Sequence, residues 1–195
     1  MLKIGITGGI GSGKSFICRI FQNIGIPIYY ADDESKKILQ NNEYVKLQIK
    51  LNFGNDIYQE NKLDKLKLAN IVFNDSDKLK LLNNILHPIV FKEFNLWCSK
   101  QTSKYVIMES AIIFESGADK ILDKIYSVSA PEELRIQRSM YRDKTSRQNV
   151  LQRMKNQISE EERNLRSDVI IINDDKSSVT DQVTKLHDNL MRDIR

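Results

Sequence analysis

The stretch Gly8-Gly9-Ile10-Gly11-Ser12-Gly13-Lys14-Ser15 constrains this chain more than any other. It satisfies the pattern G-x-x-x-x-G-K-[ST] and follows directly on the apolar run Ile4-Gly5-Ile6-Thr7. A buried strand then delivers the loop, and a helix starting near Lys14 leaves it. Five of the eight glycines fall between Gly5 and Gly13, where consecutive backbone N–H groups have to turn inward around a phosphate. The positive end of the helix dipole points at the same anion. Gly9, Gly11, Ser12 and Gly13 are therefore read as the cradle of a nucleoside triphosphate. Lys14 is expected to reach the β- and γ-phosphates, and the Ser15 hydroxyl to ligate Mg²⁺. A glycine-rich turn that merely precedes a helix leaves Lys-Ser at the required offset unexplained.

A chain of 195 residues with 41% apolar content is long enough for one sizeable core, and it suits a single α/β domain with inserted subregions. The net charge of +4 is modest, with both signs scattered, so it suits small anionic ligands at least as well as a nucleic-acid polymer, and charge alone decides nothing. Cys18 and Cys98 lie in apolar helical patterns without a C-x-x-C neighbour or a cluster with His87 or His187, which assigns them to packing. No basic n-region with an apolar stretch opens the sequence, and no apolar run approaches the ~18 residues of a membrane span. A soluble, reducing, cytoplasmic setting is expected, with no membrane partner.

Ile17, Ile20, Phe21 and Ile24 are spaced to pack one helix face on a sheet, and Gly25 stops that helix. The run Ile26 to Tyr30 reads as a second buried strand with Pro27 at its beginning. It ends in Ala31-Asp32-Asp33. In an open parallel sheet the carboxyl ends of the strands border the ligand crevice. Asp32 is accordingly a candidate to take a proton from a substrate hydroxyl, against the plainer role of capping the next helix, which is assigned to Asp33. Residues 34–101 read as helical with no convincing strand, and His87-Pro88 is expected to interrupt them. This helical insertion is read as an acceptor wall, with His87 either touching the acceptor or serving the structure.

Tyr105 to Met108 is the third strand, and Glu109 stands where an acidic residue after an apolar strand would hold Mg²⁺ through water. Ile125 to Ser129 is the fourth, followed by a helix begun at Pro131. Arg135, Arg138 and Arg142 lie on one face of that helix, with Lys144, Arg147, Arg153 and Lys155 beyond them. The bland reading is a solvated basic face; the functional one is a mobile lid whose arginines close on the phosphates. Val169 to Ile172 is the fifth strand, and Asn173 at its end is placed to edge an adenine. The fold class is α/β: a five-stranded parallel P-loop sheet flanked by helices. Segments 1–33, 102–134 and 167–195 form the core, 34–101 the helical insertion, and 135–166 the lid.

Taken together, Ile6 to Ser15, Ala31-Asp32, Leu86-His87-Pro88, Ile112-Ile113-Phe114-Glu115, Arg138, Arg142-Asp143, Gln157 and the strand ending in Asn173 resemble the dephospho-CoA kinases over nearly the whole chain. That resemblance implies transfer of the ATP γ-phosphate to the 3′-hydroxyl of dephospho-CoA. It also implies Asp32 as general base, Lys14 and the lid arginines Arg138 and Arg142 on the phosphates, and the CoA moiety received by the insertion with His87 and Glu115 in contact. A monomer acting on a small molecule is expected. The chain departs from the family pattern at Tyr30 (Asp), Phe16 (Thr), Lys36 (Arg) and Ala111 (Pro). The Phe16 backbone N–H is still expected to face the α-phosphate.

Three other readings compete. Asn61-Lys62-Leu63-Asp64 fits the guanine-reading N-K-x-D pattern, but it does not follow an apolar strand and no D-x-x-G sequence accompanies it, so a surface turn is expected. Another small-molecule kinase would share the P-loop, sheet and lid and differ only in the acceptor wall. A nucleic-acid module lacks interleaved aromatics apart from Tyr141 and leaves the P-loop without a purpose.

Overall fold

The computed structural model describes residues 1–193; residues 194 and 195, the end of the expected core segment, lie outside the described residues. Along the chain run β1 (Leu2–Gly8), α1 (Lys14–Asn23), β2 (Ile28–Tyr30), α2 (Ala31–Asn41) and α3 (Glu43–Phe53). Then come β3 (Tyr58–Gln59), β4 (Lys62–Leu63), α4 (Lys65–Asn74), α5 (Ser76–Cys98), β5 (Tyr105–Glu109) and α6 (Ile113–Ser116). The chain closes with β6 (Lys124–Ser129), α7 (Glu132–Asp143), α8 (Arg147–Met154), α9 (Glu160–Leu165), β7 (Val169–Ile172) and α10 (Val179–Asp193). Two compact units result: Met1–Tyr30 with the segment from Gln101 onward, and Ala31–Lys100.

The first unit is built on a five-stranded sheet in the order β2-β5-β1-β6-β7, every pairing parallel. β1 sits at its centre, and Ile4 and Ile6 are fully buried, as expected for a strand covered on both faces. Ile6 pairs with Glu109 on one side and Tyr126 on the other, and Tyr30 pairs with Glu109 across β2. Because all strands run the same way, Gly8, Tyr30, Glu109, Ser129 and Ile172 end at one edge of the sheet, where a ligand crevice forms. One face is sealed by Ile17, Cys18 and Phe21 of α1 and Val183 and Leu190 of α10. Phe21 meets Tyr105 edge-to-face with ring centroids 6.5 Å apart.

In the second unit, residues 31–100, the helices are joined by a two-stranded antiparallel hairpin, β3 with β4, where an all-helical segment was expected. Its turn holds Glu60 and Asn61 at φ 47° and 65°, a two-residue loop whose local signal is carried by the asparagine alone. Asn61-Lys62-Leu63-Asp64 is thereby absorbed into a turn, a strand and a cap, since Asp64 accepts from the Lys67 N–H at 2.9 Å at the start of α4.

Two other expectations are corrected. Pro88 does not interrupt the helical pattern; α5 runs through it from Ser76 to Cys98. An internal proline costs about 3 kcal/mol, but Leu82, Leu86, Val90, Phe94 and Cys98 are buried at four-residue intervals across it, and that continuous apolar face holds the helix together. Asp33 is not a helix cap, because α2 begins at Ala31 directly after β2. Asp32, Asp33 and Glu34 instead fill the first turn, where carboxylates are favoured by the helix dipole, and Asp33 pairs with Lys36 at 2.7 Å.

Candidate active site

The loop between β1 and α1 is held by backbone geometry. Gly13 lies in the left-handed region at φ 93°, and a Cβ there would sit 2.2 Å from Nδ2 of Asn173, so no other residue fits without displacing that amide. Asn173, at the end of β7, donates from Nδ2 to the Ser12 carbonyl at 2.7 Å and so anchors the loop to the far strand. The Ser12 N–H donates back to the Gly9 carbonyl at 3.1 Å. Among the described residues no acceptor meets the Gly11 or Gly13 amide, which leaves these donors at the N-terminus of α1 to an anion. Lys14 folds back over the loop, with Nζ donating to the Gly8 carbonyl at 2.9 Å and the Gly9 carbonyl at 3.5 Å. Ser15 is exposed in the first turn of α1. The Phe16 amide donates to the Gly13 carbonyl at 2.9 Å, where the left-handed turn at Gly13 tightens the start of the helix.

Glu109 closes β5 beside this loop and is 7% exposed. Cys18, four residues beyond Lys14 on α1, senses both groups. Burial pushes its thiol well above the ordinary value, the Glu109 charge adds to that, and the Lys14 charge opposes it. This thiol is an inert packing group. A hydroxyl at Ser15 and a carboxylate at Glu109 are hard oxygen donors, the set Mg²⁺ takes when phosphates and water complete its shell. Among the described residues there is no cluster of three metal-ligating side chains.

The basic segment does not form one solvated face. Arg135 is 6% and Arg163 2% exposed. Nη1 of Arg135 lies 1.9 Å, and Nη1 of Arg163 3.5 Å, from where a Cβ on Gly9 would be. Arg135 pairs with Glu160 at 3.3 Å, and Arg163 donates to the Ile158 carbonyl at 2.7 Å. Burial lowers the pKa of the Arg163 guanidinium, Arg135 adds to the effect, and Glu115, Glu160 and Glu162 oppose it. Arg138 donates to the Asn173 carbonyl at 3.1 Å and pairs with Asp175. Arg142 is mostly exposed and is held by its neighbour Asp143 at 2.7 Å, a carboxylate shared with Arg153 at 2.8 Å. Glu115 accepts from the Ile158 N–H at 3.1 Å, which places its carboxylate on the turn that leads into α9.

Gln157 ties this segment to the loop: its Oε1 accepts from the Ile10 N–H at 2.9 Å, and its Nε2 donates to the Ala111 carbonyl at 3.2 Å. Replacing Gln157 with alanine is expected to speed hydrogen exchange at the Ile10 amide by about fivefold, the equivalent of one lost hydrogen bond of about 1 kcal/mol; unchanged protection would show the tie to be dispensable. The sequence marks Arg135 as one of the lid arginines but gives no sign that it is buried against Gly9, and it does not single out Arg163. Arg163 follows Glu160-Glu161-Glu162 and reads locally as part of a solvated charge run.

In the second unit, Asp32 is exposed in the first turn of α2, two residues along the chain from Tyr30, the last residue of β2. His87 stacks on Phe91 one turn later in α5, with ring centroids 6.1 Å apart. Burial lowers the His87 pKa from its ordinary 6.5. The folded state therefore binds fewer protons at this site than the unfolded chain. Its contribution to stability is complete above pH 6.5 and is lost as pH falls through the lower folded value. The urea midpoint is expected to drop between pH 7 and pH 5 by more in the native chain than in a His87→Gln variant; equal drops would remove His87 from the acid sensitivity.

A P-loop on the central strand of a parallel sheet, with buried arginines on its second glycine and an acidic residue ending the neighbouring strand, defines a P-loop phosphotransferase. The dephospho-CoA kinase family model matches residues 2–179. The dephospho-CoA kinase of Bacteroides fragilis is 38% identical over 186 residues, covering 95% of this chain and 91% of that protein. Among solved structures, TT1252 from Thermus thermophilus aligns at a TM-score of 0.85 and 30% identity, covering 100% of this chain and 98% of that one. Dephospho-CoA kinase from Campylobacter jejuni aligns at 0.70 and 28%, covering 99% and 98%. The chain belongs to the dephospho-CoA kinase family.

Proposed function

We propose that this chain transfers the γ-phosphoryl group of ATP to the 3′-hydroxyl of dephospho-CoA, yielding coenzyme A and ADP. The observation that carries the phosphoryl-transfer half is the loop itself, with open amides at Gly11 and Gly13 and the Lys14 ammonium resting on the Gly8 and Gly9 carbonyls. Family membership over residues 2–179 carries the choice of acceptor.

In the reaction the bond between the γ-phosphorus and the β-bridging oxygen breaks as a bond from the ribose 3′-oxygen to that phosphorus forms. The ribose proton goes to the Asp32 carboxylate, and ADP leaves. Asp32 orients the hydroxyl and takes its proton. Lys14 exchanges its two carbonyls for β- and γ-phosphate oxygens, a change from neutral to charged acceptors that strengthens its bonds. Arg138 and Arg142 neutralise charge spreading over the transferring group, and Asn173 borders the adenine while holding Ser12. Ser15 and Glu109 are the residues that would hold Mg²⁺, which would supply positive charge to screen the phosphates. Residues 34–101 receive the acceptor, His87 and Glu115 contact it, and residues 135–166 move as a lid.

The position of transfer is tested by NMR of the product after incubation with ATP, Mg²⁺ and dephospho-CoA. The new phosphorus resonance is expected to couple to the proton on the ribose 3′-carbon. Coupling at the 2′-position, or at an atom of the pantetheine arm, would contradict the assignment.

A further inference from the structure

Three cations converge on one glycine of the loop. Lys14 Nζ lies 3.5 Å from the Gly9 carbonyl, the Arg135 guanidinium occupies the space where a side chain on Gly9 would be, and Nη1 of Arg163 borders that space at 3.5 Å. Lys14 marks the β,γ end of a bound nucleotide, so the two arginines stand at that same end. Both are more than nine-tenths buried, and the Nε–H of each is buried without a hydrogen-bond partner. Two buried guanidinium groups side by side, each with an unused donor, are costly in the absence of an anion. Glu160 supplies part of the compensating charge: one oxygen meets Arg135 at 3.3 Å, while the other accepts from the Ser129 hydroxyl.

We propose that Arg135 and Arg163 form a two-guanidinium receptor for the terminal phosphoryl group of the nucleotide, with Glu160 partly compensating the pair until that group arrives. Planar guanidinium donors match phosphoryl oxygens in pairs, and a phosphoryl dianion supplies the acceptors that the two Nε–H groups lack. The receptor tells ATP from ADP, since only ATP carries a group at that position. This inference rests on the phosphoryl-transfer reading of the same loop and names the residues that recognise the transferred group.

The test measures ATP and ADP affinity by calorimetry without acceptor, alongside dephospho-CoA-dependent turnover, for the native chain, Arg135→Gln and Arg163→Gln. ADP affinity is expected to stay within about threefold of native, which also shows that the loop is folded. ATP affinity is expected to fall ~10- to 100-fold, as for loss of a charged hydrogen bond, and kcat on the order of 10³-fold. Parallel weakening of ATP and ADP would overturn the proposal, leaving the arginines as supports of the loop; so would unchanged ATP affinity. Should the glutamine variants fail to bind ADP at all, Arg135→Lys and Arg163→Lys preserve the charge and most of the stem. In those variants a selective loss of ATP affinity supports the receptor, and native ATP affinity and kcat overturn it. A native chain that binds ATP more tightly than ADP but shows no dephospho-CoA-dependent turnover would contradict the function assigned above while leaving the receptor standing.

Discussion

Lys14→Ala is expected to lower kcat/KM by about 10³-fold while leaving the folded state intact. The ammonium now rests on two loop carbonyls, at 2.9 and 3.5 Å, and these carbonyls return to water when it is removed, so the cost to the free protein is small. The cost to the reaction is expected to be large because, in the proposed mechanism, Lys14 leaves those carbonyls for phosphate oxygens and holds a positive charge where negative charge redistributes. Removing one such preorganised donor costs about 3–4 kcal/mol in other enzymes. Steady-state kinetics beside a thermal melt separate the two effects. Native turnover in a folded variant would mean that the loop does not hold the transferring phosphate.

Asp32→Asn is expected to reduce kcat by ~10²- to 10⁴-fold, the range for loss of a positioned general base, with the KM values of both substrates within a few-fold of native. The amide keeps the size and one acceptor oxygen of the carboxylate but cannot take the proton. Its place in the first turn of α2 is solvent-exposed, so the substitution carries little penalty in folding. If kcat stays near native, another group accepts the proton. If both KM values rise with kcat unchanged, Asp32 positions the acceptor rather than deprotonating it.

Much of this architecture was written locally. The five strands of the main sheet are short apolar runs at the places expected, and the nucleotide loop is a contiguous motif whose glycines answer to backbone geometry. What the sequence hid depends on contacts between residues far apart. Pro88 reads as a break, yet the buried side chains from Leu82 to Cys98 carry α5 across it. The β3–β4 hairpin consists of two two-residue strands and has no periodicity to detect. Glu109 ends its strand beside the loop as expected, whereas the burial of Arg163 becomes visible only when α9 is packed under Gly9. Gln157 carries no local signal; its two partners, Ile10 and Ala111, lie far from it in sequence.

The acceptor-dependence of ATP turnover tests the central claim most directly. ADP release from ATP and Mg²⁺ is measured with dephospho-CoA, with adenosine, AMP or shikimate in its place, and with no acceptor. The account predicts turnover that requires dephospho-CoA and produces coenzyme A in step with ADP. Preference for another acceptor would overturn the substrate assignment, and ADP release that is indifferent to acceptor would make the chain a hydrolase and contradict the account.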